Sequence, residues 1–188
     1  VSPPVPHPAA PRIEPLPESE RTARQQEVIE DLVVGPTVNI YTTLARHPDA
    51  AAAMVNLGRT LRSGRLPARH REVLILRTGW NCGSAYEFAQ HRRAALAIGM
   101  TLDDLRRIQR GPLAEGWDPF EALLCQAADE LHEHNGLFDA TWAGLAARYD
   151  EQELIEAVMV VGYYHLVSFA LNAFGVPIEP GAESFLDE

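Results

Sequence analysis

The sequence predicts an all-α helical bundle, and three observations carry that prediction. Apolar residues recur at three- and four-residue spacing through most of the chain. Helix-starting residues precede these runs, and Gly or Pro follows them. No convincing strand is found, and no solenoid-type repeat. At 188 residues and 46% hydrophobic composition, the chain is long enough for one domain with a real core.

Residues 1–17 hold seven prolines and read as an N-terminal arm, because proline removes donors and favours extended backbone. A disordered tail and an arm wrapped on a neighbouring subunit are both open readings. Residues 18–188 are expected to form the single helical domain. Its first helix starts near Glu18 or Ser19 and runs to about Val34, stopping at Gly35-Pro36, with Val28, Ile29, Leu32 and Val33 on one face. A short helix with Ile40, Tyr41 and Leu44 inward ends at His47-Pro48. Asp49 is the expected cap of the next, which runs from Ala50 to about Arg62 and closes at Gly64. Pro67 opens a helix that breaks between Gly79 and Gly83, and Ser84 with Glu87 reads as a capping box for its successor, ending at Gly99. Thr101, Asp118-Pro119, Phe138 and Asp150 start the remaining helices, with Trp142 and Leu145 expected to face inward.

The formal net charge of −10 argues against nucleic acid and anionic membranes as partners. Two cysteines, Cys82 and Cys125, make no disulfide framework and fit a reducing cytoplasm. The apolar run from Val158 to Ala173 is interrupted by Tyr163, Tyr164, His165, Ser168 and Asn172, so it reads as a buried helix and not a membrane span. The polar interruption faces a pocket, a subunit or the core. The start has no charged n-region and no apolar h-region.

Chemistry is densest from Glu72 to His91, EVLILRTGWNCGSAYEFAQH. Ser84, Glu87 and His91 share one helical face, with Cys82 just before it. This stretch resembles the carboxymuconolactone decarboxylase family, which includes the alkylhydroperoxidase D-like proteins. Its redox branch carries a Glu nineteen residues before a His, with Cys-x-x-Cys-x-x-x-His between them. Glu72 and His91 keep that spacing, while the two cysteine positions hold Ser84 and Glu87. The remaining pattern, Cys82-Gly83-Ser84-Ala85-Tyr86-Glu87-Phe88-Ala89-Gln90-His91, is similar to a cysteine-poor branch.

The resemblance implies an alkylhydroperoxidase D-like fold, a homo-oligomer of trimer or hexamer type, and cofactor-independent acid–base chemistry on a small organic acid, lactone or related carbonyl compound. In that reading His91 is the acid/base, Glu72 orients it, and Glu87 is a second proton carrier. Ser84 and Tyr86 hydrogen-bond substrate oxygen, with Cys82 beside them. Other readings stay open: Glu72 and His91 as a structural pair, Cys82 as a peroxidase thiol or a buried small hydrophobe, and the whole as a non-catalytic ligand-binding oligomer. No metal site is expected. Glu87 and His91 have suitable spacing but lack further ligands, and the cluster from Asp129 to His134 reads as a solvated helix end. Arg69, Arg71, Arg77, Arg92 and Arg93 are candidates for a substrate carboxylate, a solvated face or salt bridges.

Overall fold

The structure is a computed structural model that describes residues 8–32 and 38–186. Among these, every regular element is helical: a 3₁₀ turn at Glu18–Glu20, then α1 (Ala23–Leu32), α2 (Asn39–Leu44), α3 (Pro48–Arg62), α4 (Ala68–Asn81), α5 (Ala85–Ala97), α6 (Leu102–Arg110), α7 (Pro119–His134), α8 (Asp139–Ala146) and α9 (Glu151–Phe174). The expected end of α1 at Val34 to Pro36, and the Val33 position, lie outside the described residues.

α4 is the axis of the bundle. Its Val73, Leu74, Ile75 and Leu76 are consecutive and all buried, so the helix meets neighbours all round. α5, α6, α7 and α9 pack against it. Two of its three arginines, read from sequence as substrate candidates, hold this arrangement instead. Arg69 pairs with Asp104 at 2.9 Å and also with Glu121. Arg77 pairs with Asp129 and donates to the Ile108 and Gln109 carbonyls at 2.8 and 3.0 Å. The Arg77 guanidinium, largely withdrawn from water, needs such partners, and a planar fork can satisfy several at once.

Caps set by local sequence are as expected. Thr101 with Asp104 and Asp150 with Glu153 form reciprocal capping boxes, and Asp118 accepts from Phe120 and Glu121. α3 departs from expectation. His47, not Asp49, is its N-cap, accepting from the Ala50 amide at 3.4 Å, because Pro48 occupies the first helical position. Trp142 also departs, being 47% exposed while Leu145 on the same helix is buried.

The proline-rich stretch from Pro8 runs against the end of α9. The Arg12 amide donates to the Phe174 carbonyl at 2.8 Å and the Leu16 amide to Thr42 at 3.2 Å. Beyond α9 the chain returns across α5: Ser184 donates to the Ala85 carbonyl at 2.8 Å, and Phe185 meets Trp80 and Phe88 edge-on or tilted.

Arg77→Ala is expected to lower unfolding free energy by about 3 kcal/mol, since it leaves Asp129 without its main buried partner. Urea denaturation monitored by helical circular dichroism measures this.

Candidate active site

The α4–α5 junction positions the site. Cys82 ends α4 and Gly83 turns the chain at φ 58°, a conformation that suits glycine. α5 then folds back so closely that a Cβ on Gly79 would lie 3.5 Å from Glu87. Glu72 from α4 is thereby set opposite Glu87 and His91 from α5.

His91 lies between the two carboxylates. Its Nδ1 is 2.8 Å from Glu72 Oε2 and its Nε2 is 3.0 Å from Glu87 Oε1. The Tyr164 ring closes over the imidazole edge-on, with centroids 4.9 Å apart. Burial lowers the histidine's proton affinity, but Glu72 and Glu87 outweigh it and push its pKa up to about 10. At neutral pH the ring is therefore an imidazolium donating from both nitrogens.

All three residues line a cavity of about 550 Å³. Tyr41, Tyr163 and Tyr164 line it too, as do Arg62 and Arg93. Both arginines are otherwise exposed. Of the arginines flagged from sequence, Arg93 alone reaches this cavity. Arg71 donates to the Leu66 carbonyl, and Arg92 is tied to Ser184 and Glu183 in the C-terminal segment. Arg62 and Tyr41 went unremarked as site residues because they lie far from the motif in sequence.

The other motif residues go elsewhere. Tyr86 lines the same cavity, but its hydroxyl donates to Glu179 at 2.6 Å and accepts from the Ile40 amide at 3.2 Å. Ser84 is the N-cap of α5 by position, yet its side chain makes no capping bond and its hydroxyl is buried without a partner. The expected Ser84–Glu87 capping box is absent, because Glu87 is engaged by His91. Neither Ser84 nor Cys82 lines the cavity. Burial pushes the Cys82 thiol up to about 11, away from the thiolate form. Cys125, also buried and free, is pushed up to about 12 for the same reason.

Comparison with known proteins agrees with this geometry. The sequence model of the carboxymuconolactone decarboxylase family matches residues 48–130. The chain is similar to this family over that stretch, which is less than half of its length. Glu72, Cys82, Glu87 and His91 fall inside the matched stretch. Comparison with curated protein sequences finds no match. Among solved structures, the alkylhydroperoxidase AhpD core of an uncharacterized peroxidase-related protein from Ralstonia eutropha JMP134 aligns with a TM-score of 0.78. It shares 17% identity, over 92% of this chain and 95% of that one. The debrominase Bmp8, as a cysteine-to-alanine variant in complex with 2,3,4-tribromopyrrole, aligns with a TM-score of 0.71. It shares 16% identity, over 92% of this chain and 94% of that one. A protein of unknown function from Agrobacterium tumefaciens, linked by its description to AhpD antioxidant defence, aligns with a TM-score of 0.69. It shares 17% identity, over 72% of this chain and 94% of that one. At such identities these likenesses establish the fold. Within the matched stretch the site keeps the carboxylate–imidazole pair, and neither Cys82 nor Cys125 lines its cavity.

A histidine pKa raised from 6.5 to about 10 stabilises the fold fully below pH 6.5, and the contribution is lost as pH rises through 10. The stability difference between wild type and His91→Gln is therefore expected to shrink across that window. Denaturation at stepped pH measures it, and ¹⁵N chemical shifts should show His91 still doubly protonated at pH 8.

Proposed function

We propose that this chain is a carboxymuconolactone decarboxylase-like enzyme performing acid–base chemistry, of lyase or isomerase type, on a small anionic carbonyl compound. The observation that carries this reading is His91 held between Glu72 and Glu87 on the wall of a cavity that also bears Arg62 and Arg93. The two guanidiniums supply charge for a substrate carboxylate or a developing enolate.

In this reading the two acids have different roles. Both imidazole nitrogens are already engaged, so a proton leaving the substrate first meets a carboxylate. Glu87 is the proton carrier facing substrate, His91 the cation that holds and reloads it, and Glu72 the fixed anchor behind. In a decarboxylation, carbon dioxide departs with the C–C bonding pair left on carbon. The enolate so formed is stabilised by the arginines and reprotonated through Glu87, with His91 the proton source. Tyr41 and Tyr163 supply hydroxyls that can orient substrate oxygen. The α3 backbone comes so close here that a Cβ on Gly58 would be 2.4 Å from the Tyr163 oxygen. Thiol peroxidase chemistry, the alternative in the redox branch, is disfavoured because the buried thiols are off this cavity and hard to ionise.

We also propose assembly into a homo-oligomer through α9. Ile155, Met159, Leu166 and Phe169 are 42–60% exposed and form one apolar stripe along that helix. Sedimentation velocity is expected to show a trimer or a multiple of it, and a stable 20.8 kDa monomer at micromolar concentration would remove this proposal.

The catalytic assignment is tested by turnover per folded protein on a panel of small oxo-acids and lactones. Glu87→Gln and His91→Gln are expected to lower it by roughly 10²–10⁴-fold. Glu72→Gln should cost less, because it keeps a hydrogen bond to Nδ1. Robust hydroperoxide reduction by the wild type with a dithiol donor would overturn the ranking of activities.

A further inference from the structure

The three helices α4, α7 and α9 converge at a second cluster that the acid–base site does not use. Cys82 at the end of α4, His132 in the last turn of α7 and His165 in the middle of α9 each offer one ligand atom, and these atoms lie within 4.8 Å of one another. His132 Nδ1 and His165 Nε2 are 2.9 Å apart and the rings stack at 28°. His132 and His165 lie outside residues 48–130, the stretch matched by the family. The sequence reading of His132 as part of a solvated helix end is thereby revised. Its neighbours explain the misreading: Glu133 and His134 are indeed exposed.

We propose that Cys82, His132 and His165 form a binding site for a divalent cation of the zinc class, with its fourth coordination position open. One thiolate and two imidazoles are the donor set that such a borderline-soft ion takes. With bonds of about 2.0–2.3 Å, tetrahedral ligand atoms stand roughly 3.3–3.8 Å apart. Small side-chain turns that part the two imidazole nitrogens from 2.9 Å and bring the Cys82 sulfur toward them reach that spacing.

Two further features point to a built site. His165 Nδ1 lies 2.8 Å from the Val161 carbonyl. A carbonyl only accepts, so this nitrogen carries the proton and Nε2 presents its lone pair to the cluster. A backbone carbonyl fixing the tautomer in this way is the usual support of a metal-bound histidine. Second, Ser168, one turn beyond His165, is fully buried. It lies close enough to the Cys82 thiol to ease its ionisation, yet its hydroxyl lacks a well-formed hydrogen bond. That hydroxyl can donate to a thiolate once one forms. His132 and His165, though not Cys82, line a cavity of about 360 Å³ whose wall also includes Leu131, Asn135, Val158 and Phe169. It has room for water or a small ligand.

The proton balance is definite. Without metal, the His132 Nδ1 proton is shared with His165 Nε2, and the Cys82 thiol is protonated. On binding, His132 keeps one proton by presenting whichever nitrogen is free of it. Cys82 loses its proton to solvent, and a thiolate–metal bond forms. One ion therefore displaces about one proton at neutral pH.

The test uses the full chain freed of metal by a chelator and titrated with Co²⁺, then with competing Zn²⁺. One equivalent of Co²⁺ should bind with a thiolate-to-cobalt charge-transfer band in the near ultraviolet and the intense visible bands of tetrahedral cobalt. Zn²⁺ should displace both. Cys82→Ala should abolish the near-ultraviolet band. His132→Ala and His165→Ala should each weaken binding by at least about 100-fold. His134→Ala, on an exposed neighbour, should change nothing. Calorimetry in buffers of different ionisation enthalpy should report about one proton released per Zn²⁺. The absence of a thiolate band in the wild type would overturn the proposal without reference to any variant's folding. Binding that survives Cys82→Ala, or that is lost in His134→Ala, would overturn it equally.

Discussion

The structure depends on keeping two carboxylates out of water beside one imidazole. Buried anions on adjacent helices repel one another and each loses hydration, which costs several kcal/mol per group unless a partner offsets it. His91 offsets both at once, with one ring nitrogen for each acid. That solution requires α4 and α5 to approach closely at one height. Gly79 permits the approach, Gly83 reverses the chain, and the Trp80–Phe88–Phe185 contacts brace the junction. The apolar block Val73 to Leu76 fixes the rotation of α4, so the direction in which Glu72 points is set by core packing rather than by its own charge.

Local sequence is sufficient at three helix starts whose signal lies within one turn. Thr101–Asp104, Asp150–Glu153 and Asp118-Pro119 are caps whose partners are three residues away or fewer, and they form as read. Ser84 and Glu87 have the same spacing and do not form a box. Nothing local distinguishes them. The difference is that Glu87 gains a charged partner in His91, and a charge-assisted hydrogen bond outweighs one to a backbone amide. The Glu72–His91 relationship was readable because the family frame fixes its spacing of nineteen residues. The arginines were legible as a cluster but not by destination. Arg69 and Arg77 are claimed by Asp104, Glu121 and Asp129, which come from helices whose register no sequence spacing reveals. His132 and His165 are 33 residues apart on different helices, and only the packing of α7 on α9 brings them together.

What the site can do follows from where the remaining chemistry was placed. Among the motif residues, Glu72, Tyr86, Glu87, Gln90 and His91 line the cavity, while Cys82 and Ser84 do not. His91, protonated at neutral pH, is a buried cation with an acid on each ring nitrogen. Under the proposed reading such a trio suits a reaction in which a proton leaves or joins carbon, where the difficulty is the charge that develops on the neighbouring oxygen. Arg62 and Arg93 supply positive charge on the same wall. Glu87 alone among the trio is near enough to Cys82 to act on its thiol, so the two clusters feel each other across the α4–α5 turn. A cation held by the thiolate would place positive charge behind Glu87, where at present there is only a neutral thiol. Glu87 would then lie between two positive groups, His91 and the metal.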